Sequence, residues 1–156
     1  MKKITTLLLI VQFTIQSIAS REIITTNPSQ LPIKAMTFIG ENYPENRIII
    51  THIEKNDYRI LSYAVTLDNG CDIIFEENGN WREIECLRLE LSPQVIPKKI
   101  KDYLHRKKND DDIVRISKKR GYYIVELSKK TILIFDFKFN IIKYYELVWL
   151  FMLTSD

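Results

Sequence analysis

The sequence predicts an α+β fold, built as a tandem repeat of a helix plus a four-stranded antiparallel meander whose two units share one sheet and one core. Three observations predict it. Short β-branched runs are punctuated by Asp68-Asn69-Gly70 and Asn78-Gly79, dipeptide signals of the kind that join adjacent antiparallel strands. Two stretches opening at Leu31-Pro32 and Ile96-Pro97 carry apolar residues at helical spacing. Finally, Ala64 to Phe75 can be laid over Ile124 to Phe135, so that Val65 meets Val125, Leu67 meets Leu127 and Phe75 meets Phe135 at an offset of 60, with the two Leu/Ile-Pro openings offset by 65. One such unit could barely bury its apolar face, whereas two can share a core.

The elements follow in order. Lys2 and Lys3 precede an apolar run from Ile4 to Ile15, and Ser17 and Ala19 supply small residues at the expected spacing, so residues 1–19 read as a secretory signal cleaved after Ala19. The run is shorter than a spanning helix needs. Residues 20–30 are polar and threonine-rich and read as an exposed lead-in. The first repeat occupies 31–92. Its helix has proline in the first turn, where a missing N–H costs nothing, followed by Ala35, Phe38 and Ile39, and it stops at Asn42-Tyr43-Pro44. Strands follow over Arg47 to Glu54 and Tyr58 to Leu67, then the pair flanking Asn78-Gly79. The second repeat spans 93–147. Its helix carries Ile100, Tyr103 and Leu104 and ends in Arg106-Lys107-Lys108, cations suited to the negative end of a helix dipole. Strands are expected over Ile113 to Ser117, Tyr122 to Leu127, Ile132 to Phe137 and Ile141 to Leu147, and residues 148–156 form an apolar C-terminal tail.

The stretch from Cys71 to Cys86 is the most legible. A two-residue type I′ loop at Asn78-Gly79 pairs Glu77 with Asn80, Phe75 with Arg82, Ile73 with Ile84 and Cys71 with Cys86. Directly opposed cysteines in an antiparallel pair lie within disulfide range, and export makes the bond permissible. A three-residue loop with a bulge would instead slip the register by one, leaving two separate thiols as the alternative.

Other chemistry is poorly supported. The net charge is +3, with Lys2 and Lys3 contributing two, and no clustered basic face points to nucleic acid. The two histidines, His52 and His105, have no close Cys/His cluster for zinc. Asp110-Asp111-Asp112 lacks the alternating ligands, glycine and distal glutamate of an EF-hand. There is no Gly-x-Ser-x-Gly elbow and no glycine-rich phosphate loop, so no cofactor is indicated. Asp72, Glu76, Glu83 and Glu85 are expected on the hairpin face opposite the cysteines, together with Trp81 and Ile74, and read as a wet outer face. The pairs Tyr122/Tyr123 and Tyr144/Tyr145 must send one ring to each face of the sheet. Trp81, Tyr123 and Tyr145 are the candidate binding surface.

The doubled Leu/Ile-Pro helix, the Tyr-x-Val-x-Leu strand and the Asn-Gly-Asn-Trp-x-Glu-x-x-Cys hairpin resemble the PepSY-like, β-lactamase-inhibitor-like family of exported bacterial proteins. The residues carrying the likeness are Leu31, Pro32, Tyr63, Val65, Leu67, Gly70, Phe75, Gly79, Asn80, Trp81 and Cys86, then Pro97, Tyr103, Gly121, Tyr122, Val125, Leu127 and Phe135. The resemblance implies helices packed on one face of a shared curved antiparallel sheet, a periplasmic or secreted location, no established enzymatic activity and no catalytic residues to carry over. The chain departs from the pattern at Lys129-Lys130, which stands where Asn69-Gly70 would recur, and at Lys138-Phe139, which stands where Asn78-Gly79 would. Its tail from Leu147 is also more apolar.

The expected function is a secreted or periplasmic, non-enzymatic binding module, inhibitor-like in kind, engaging an unidentified protein or peptide through its open sheet face. No nucleic-acid partner and no stable membrane insertion after signal cleavage are expected. The alternatives are an envelope-associated protein held by the apolar tail, and a carboxylate-based hydrolase.

Overall fold

The computed structural model describes residues 21–86 and 91–146; the expected signal at 1–19 and the tail at 148–156 lie outside them. The elements are β1 (Arg21–Thr25), α1 (Ile33–Asn42), β2 (Ile48–Lys55), β3 (Ile60–Leu67), β4 (Cys71–Glu76), β5 (Trp81–Cys86), α2 (Lys98–Arg106), β6 (Ile113–Lys119), β7 (Tyr122–Leu127), β8 (Thr131–Asp136) and β9 (Ile141–Glu146). A single 3-10 turn, Pro28–Gln30, precedes α1. Both helices start directly after a proline, Pro32 and Pro97, whose fixed φ suits the entry.

The expected tandem repeat of helix plus four-stranded meander is corrected. Among the described residues, nine strands form one sheet in the order β1 to β9, with antiparallel pairs throughout, accompanied by two short α-helices. Two contacts overturn the two-unit description. Residues of the supposed lead-in form β1, a ninth strand in register with β2 from Arg21/Lys55 to Thr25/Thr51. β5 pairs directly with β6, and residues from both sides of that junction enter one core. A sheet continuous through its middle has no face that either half closes alone.

The core follows from strand alternation. Thr25, Thr51, Val65, Ile73, Ile84, Ile116, Val125, Leu133 and Tyr144 are successive register partners, one per strand. Paired residues point to the same face, so this row crosses the whole sheet on one side, and its members from Thr51 to Leu133 are buried. Ala35 and Ile39 of α1 and Ile100 and Leu104 of α2 close over that side. Each helix also brings a ring against a buried phenylalanine. Phe38 meets Phe75 edge-on at 5.8 Å, and Tyr103 meets Phe135 edge-on at 5.3 Å. Burying each of those two phenylalanines contributes about 2–3 kcal/mol.

The β4–β5 loop has three residues, not two. The Gly79 N–H donates to the Glu76 carbonyl and the Glu76 N–H donates to Asn80. Only Gly79 has positive φ (+79°), so Asn78 is not the first half of a type I′ turn. The register would then be off by one, but a bulge restores it. Phe75 pairs with Trp81 and Ile74 with Glu83, leaving Arg82 as the extra residue, and Ile73/Ile84 and Cys71/Cys86 then stand opposite each other. β8–β9 closes the same way, with the Phe139 N–H donating to Asp136, the Asp136 N–H donating to Asn140, and Ile142 as the extra residue. There the left-handed position is filled by Phe139 (φ 65°).

Glycine is required at 79 for a second reason. A Cβ there would lie 3.0 Å from Pro32 Cβ and 3.1 Å from both Ala35 N and Lys34 Cβ, at the first turn of α1. Gly70 has the same conformation (φ +81°) with open space around it. Gly70→Ala is therefore expected to cost about 1 kcal/mol through backbone strain alone. Gly79→Ala is expected to cost at least about 2 kcal/mol because α1 must also shift. Chemical denaturation of the two variants checks this, and equal losses would show that the helix contact adds nothing.

Candidate functional site: the open face of the sheet

The cysteine pair is bonded. Cys71 and Cys86 are register partners with Cα atoms 4.3 Å apart, and both side chains are buried among the core residues. Reduction should raise the intact mass by two hydrogens. Because the bond closes a short loop, Cys71→Ala with Cys86→Ala should lower stability by about 3 kcal/mol. An unchanged mass would refute the bond.

The same bulge that preserves the cysteine pairing moves Trp81. Sequence alternation from Cys86 puts Trp81 on the open face, but the extra residue at Arg82 puts it in phase with Phe75, toward the helices. There its ring lies 6.3 Å from that of Phe38, and the Lys118 ammonium sits over it at 3.5 Å. Burial pushes the Lys118 amine below its ordinary value, partly offset by the charge of Glu76. Tyr123 also faces the helices. It pairs with Phe135, stacks on Phe139 at 5.2 Å and meets Phe137 edge-on at 5.6 Å. Of the three aromatics expected on the binding surface, only Tyr145 lies on the open face, paired there with Ile132.

The helix-free face has two chemically distinct halves. Across β1 to β6 it is predominantly polar and internally paired, with Ile24, Ala64 and Ile74 set among the polar residues. His52 Nδ1 lies 2.6 Å from Glu22, Ser62 donates to Glu54 at 3.1 Å, and Thr66 donates to Asp72 at 2.5 Å. Arg115 of β6 holds Glu85 at 2.7 Å and Glu83 and Glu126 each at 3.3 Å, while Lys119 reaches Glu83 at 3.4 Å. Burial alone would lower the Arg115 pKa. Its hydrogen bond and charge interaction with Glu85, aided by Glu83 and Glu126, outweigh that and raise it. Arg115→Met leaves three carboxylates facing one another. It should cost about 1 kcal/mol at low salt, for a group this exposed, and less at high salt, where the repulsion is screened. Urea melts at two ionic strengths check it, and a salt-independent loss would assign the effect to packing.

Across β7 to β9 the open face is apolar. Ile124 pairs with Ile134, Ile132 pairs with Tyr145, and Tyr122 lies in the same phase as Ile124. Tyr122, Ile124, Ile134, Ile142 and Lys143 line a shallow concavity of about 330 Å³. Tyr122, Ile142 and Tyr145 are exposed. The isoleucines were not singled out from the sequence, although the unbroken run Ile132-Leu133-Ile134-Phe135 carried the signal. An apolar residue on both sides of a strand means that the second side is covered or is itself a surface.

The remaining candidates are accounted for locally. The Lys129 ammonium contacts the carboxylate of Asp111, and among the described residues no group of three His, Cys, Asp or Glu is placed to hold a metal ion. His105 stands in the last turn of α2. No helix among the described residues is long and apolar enough to cross a membrane.

Residues 61–143 match the β-lactamase-inhibitor-like, PepSY-like family, and the chain belongs to it. Three similar solved structures come from Bacteroides. One, from B. vulgatus, is described as a "putative periplasmic protein" of the DUF2874 family; it is 29% identical with a TM-score of 0.72, covering 83% of this chain and 98% of that one. A second, from B. thetaiotaomicron, is described as a "putative calcium-regulated periplasmic protein" (28% identity, TM-score 0.72, 81% and 96% covered). The third, from B. vulgatus, is described as a "putative periplasmic protein of unknown function" (26% identity, TM-score 0.74, 80% and 99% covered). No curated protein matches the sequence. The shared fold and location agree with the expected export, and this is a periplasmic protein.

Proposed function

We propose that this chain is a non-enzymatic periplasmic binding module that engages a protein or peptide through the apolar half of its open sheet face. The observation that carries the reading is the cluster of Tyr122, Ile124, Ile132, Ile134, Ile142 and Tyr145 on β7 to β9, opposite the side where the helices close the core. Aromatic and aliphatic residues gathered on one exposed face are characteristic of interaction sites. The family description adds inhibition as one form such binding can take. The carboxylates a hydrolase would draw on support the non-enzymatic reading, because Glu83 and Glu85 are held by Arg115 and Asp72 accepts from Thr66.

A photo-crosslinking phenylalanine analogue at position 134, with a second variant at position 66 on the polar half of the same face, tests the reading in the native envelope. A discrete adduct from position 134 and none from position 66 is expected. Equal labelling at both positions, or none at either, would remove the apolar half as the site.

A further inference from the structure

On the polar half of the open face, Arg115 and Lys119 are engaged by carboxylates. Lys143 of β9 is not. It stands on the same face as the register partner of Ile134, it is exposed, and among the described residues its ammonium has no partner. Its surroundings are apolar, for it lines the shallow concavity with Tyr122, Ile124, Ile134 and Ile142. A free cation set into an apolar surface selects a carboxylate carried beside apolar groups. The charge fixes orientation and register, and the apolar contact supplies buried area.

A second observation concerns the backbone. Among the described residues β9 is an outer strand, paired with β8 on one side. Its other side presents N–H and C=O groups that an incoming strand can take up. The opposite edge of the sheet differs, because the charges of β1 are matched within the protein: Arg21 lies 3.6 Å from Asp57 and Glu22 lies 2.6 Å from His52. A second copy of this chain, paired β9 to β9, supplies no acid for Lys143. Glu146, the acid of β9, is in phase with Thr131 on the helix side, where the Tyr144 hydroxyl donates to it. Cross-strand partners share a face, so Glu146 cannot stand opposite Lys143.

We propose, resting on the sheet-face reading above, that the partner is a protein segment that adds as an extended strand beside β9, with an Asp or Glu opposite Lys143 and an apolar residue two positions away, opposite Tyr145. Both of those side chains then lie on the open face and continue its apolar half outward. Main-chain hydrogen bonds to β9 supply the affinity and the Lys143 pair sets the register. Lysine is also a common guard that keeps edge strands from pairing. The two roles differ in one respect: a guard has no preference for an acid in what binds beside it.

The test is selection of random dodecapeptides displayed on phage against the full-length oxidised protein. Proline-poor sequences with an acid two positions from Val, Ile, Tyr or Phe are expected. Lys143→Glu, at an exposed position, should instead enrich lysine or arginine in the acid's place, and circular dichroism with intact mass, which reports the disulfide, shows that the variant remains folded. A selected acidic peptide, synthesised, should bind the parent about tenfold more tightly than the variant and lose affinity as salt is added. Methylating the backbone nitrogens along one side of that peptide should abolish binding, and along the other side leave it. Selected sequences without an acid, the same sequences from parent and variant, or equal loss from both methylation patterns would each overturn the proposal. So would a dimer formed by Lys143→Glu with peptide selection unchanged, which would make Lys143 a guard. Any of these results together with a crosslinked adduct at position 134 overturns strand addition and leaves the sheet-face reading in place, whereas absence of that adduct removes both.

Discussion

Between β5 and β6, Glu83 to Glu85 and Arg115 to Ser117 stand in register among the described residues, and the two strands are separated in sequence by α2. Every other neighbouring pair from β2 onward follows a short connection, so those ladders close almost as soon as the chain turns. The β5–β6 seam must bring together segments that are distant in sequence. It is secured from both sides. On the helix face Ile84 meets Ile116, both fully buried. On the open face Arg115 spans Glu83 and Glu85 of one neighbour and Glu126 of the other. If this seam failed, the sheet would part into two small sheets, each with half a core, a size at which a single apolar face gives little independent stability.

Much of this was legible, for identifiable reasons. The register of Cys71/Cys86 and Ile73/Ile84 was readable because one side of the hairpin is apolar at every second position. The loop that closes it was not, because Asn-Gly serves a type I′ turn and also a type I turn followed by a left-handed glycine. The structure has the second form, with Gly79 seated against the first turn of α1, a contact between residues more than forty positions apart. Trp81 was misplaced for the same local reason, since one extra residue at Arg82 reverses every side chain beyond it. Tyr123 was a different kind of miss. It shares parity with Val125 and Leu127, which already marked the core side, so Tyr122 was the ring to place outside. β1 gave no periodic signal because it is an edge strand with exposed side chains, and its pairing depends on β2 rather than on its own sequence.

The division of the open face bears on how the chain meets other molecules. Its polar half is satisfied by cross-strand bonds that neighbouring strands make with one another, leaving little for a partner to gain. Its apolar half lies beside β9, whose six residues are all exposed. An edge strand with apolar residues on both sides is where sheets most readily accept another strand. Surface chemistry and strand position therefore concentrate at the same end of the sheet.

The Cys71–Cys86 bond joins strands that are consecutive in the chain and already adjacent through a tight turn, so its formation does not depend on the seam. Hairpins close in microseconds and short loops faster still, whereas the β5–β6 ladder must await the arrival of α2. On the periplasmic side of the membrane an oxidant can thus fix this hairpin while the remainder is still unfolded. β3 and β6 would then meet a template whose register can no longer slip. The bond acts in this sense as a timing device: it sets the order in which the sheet is assembled, and a copy retained in the reducing cytosol would have to find the same register without it.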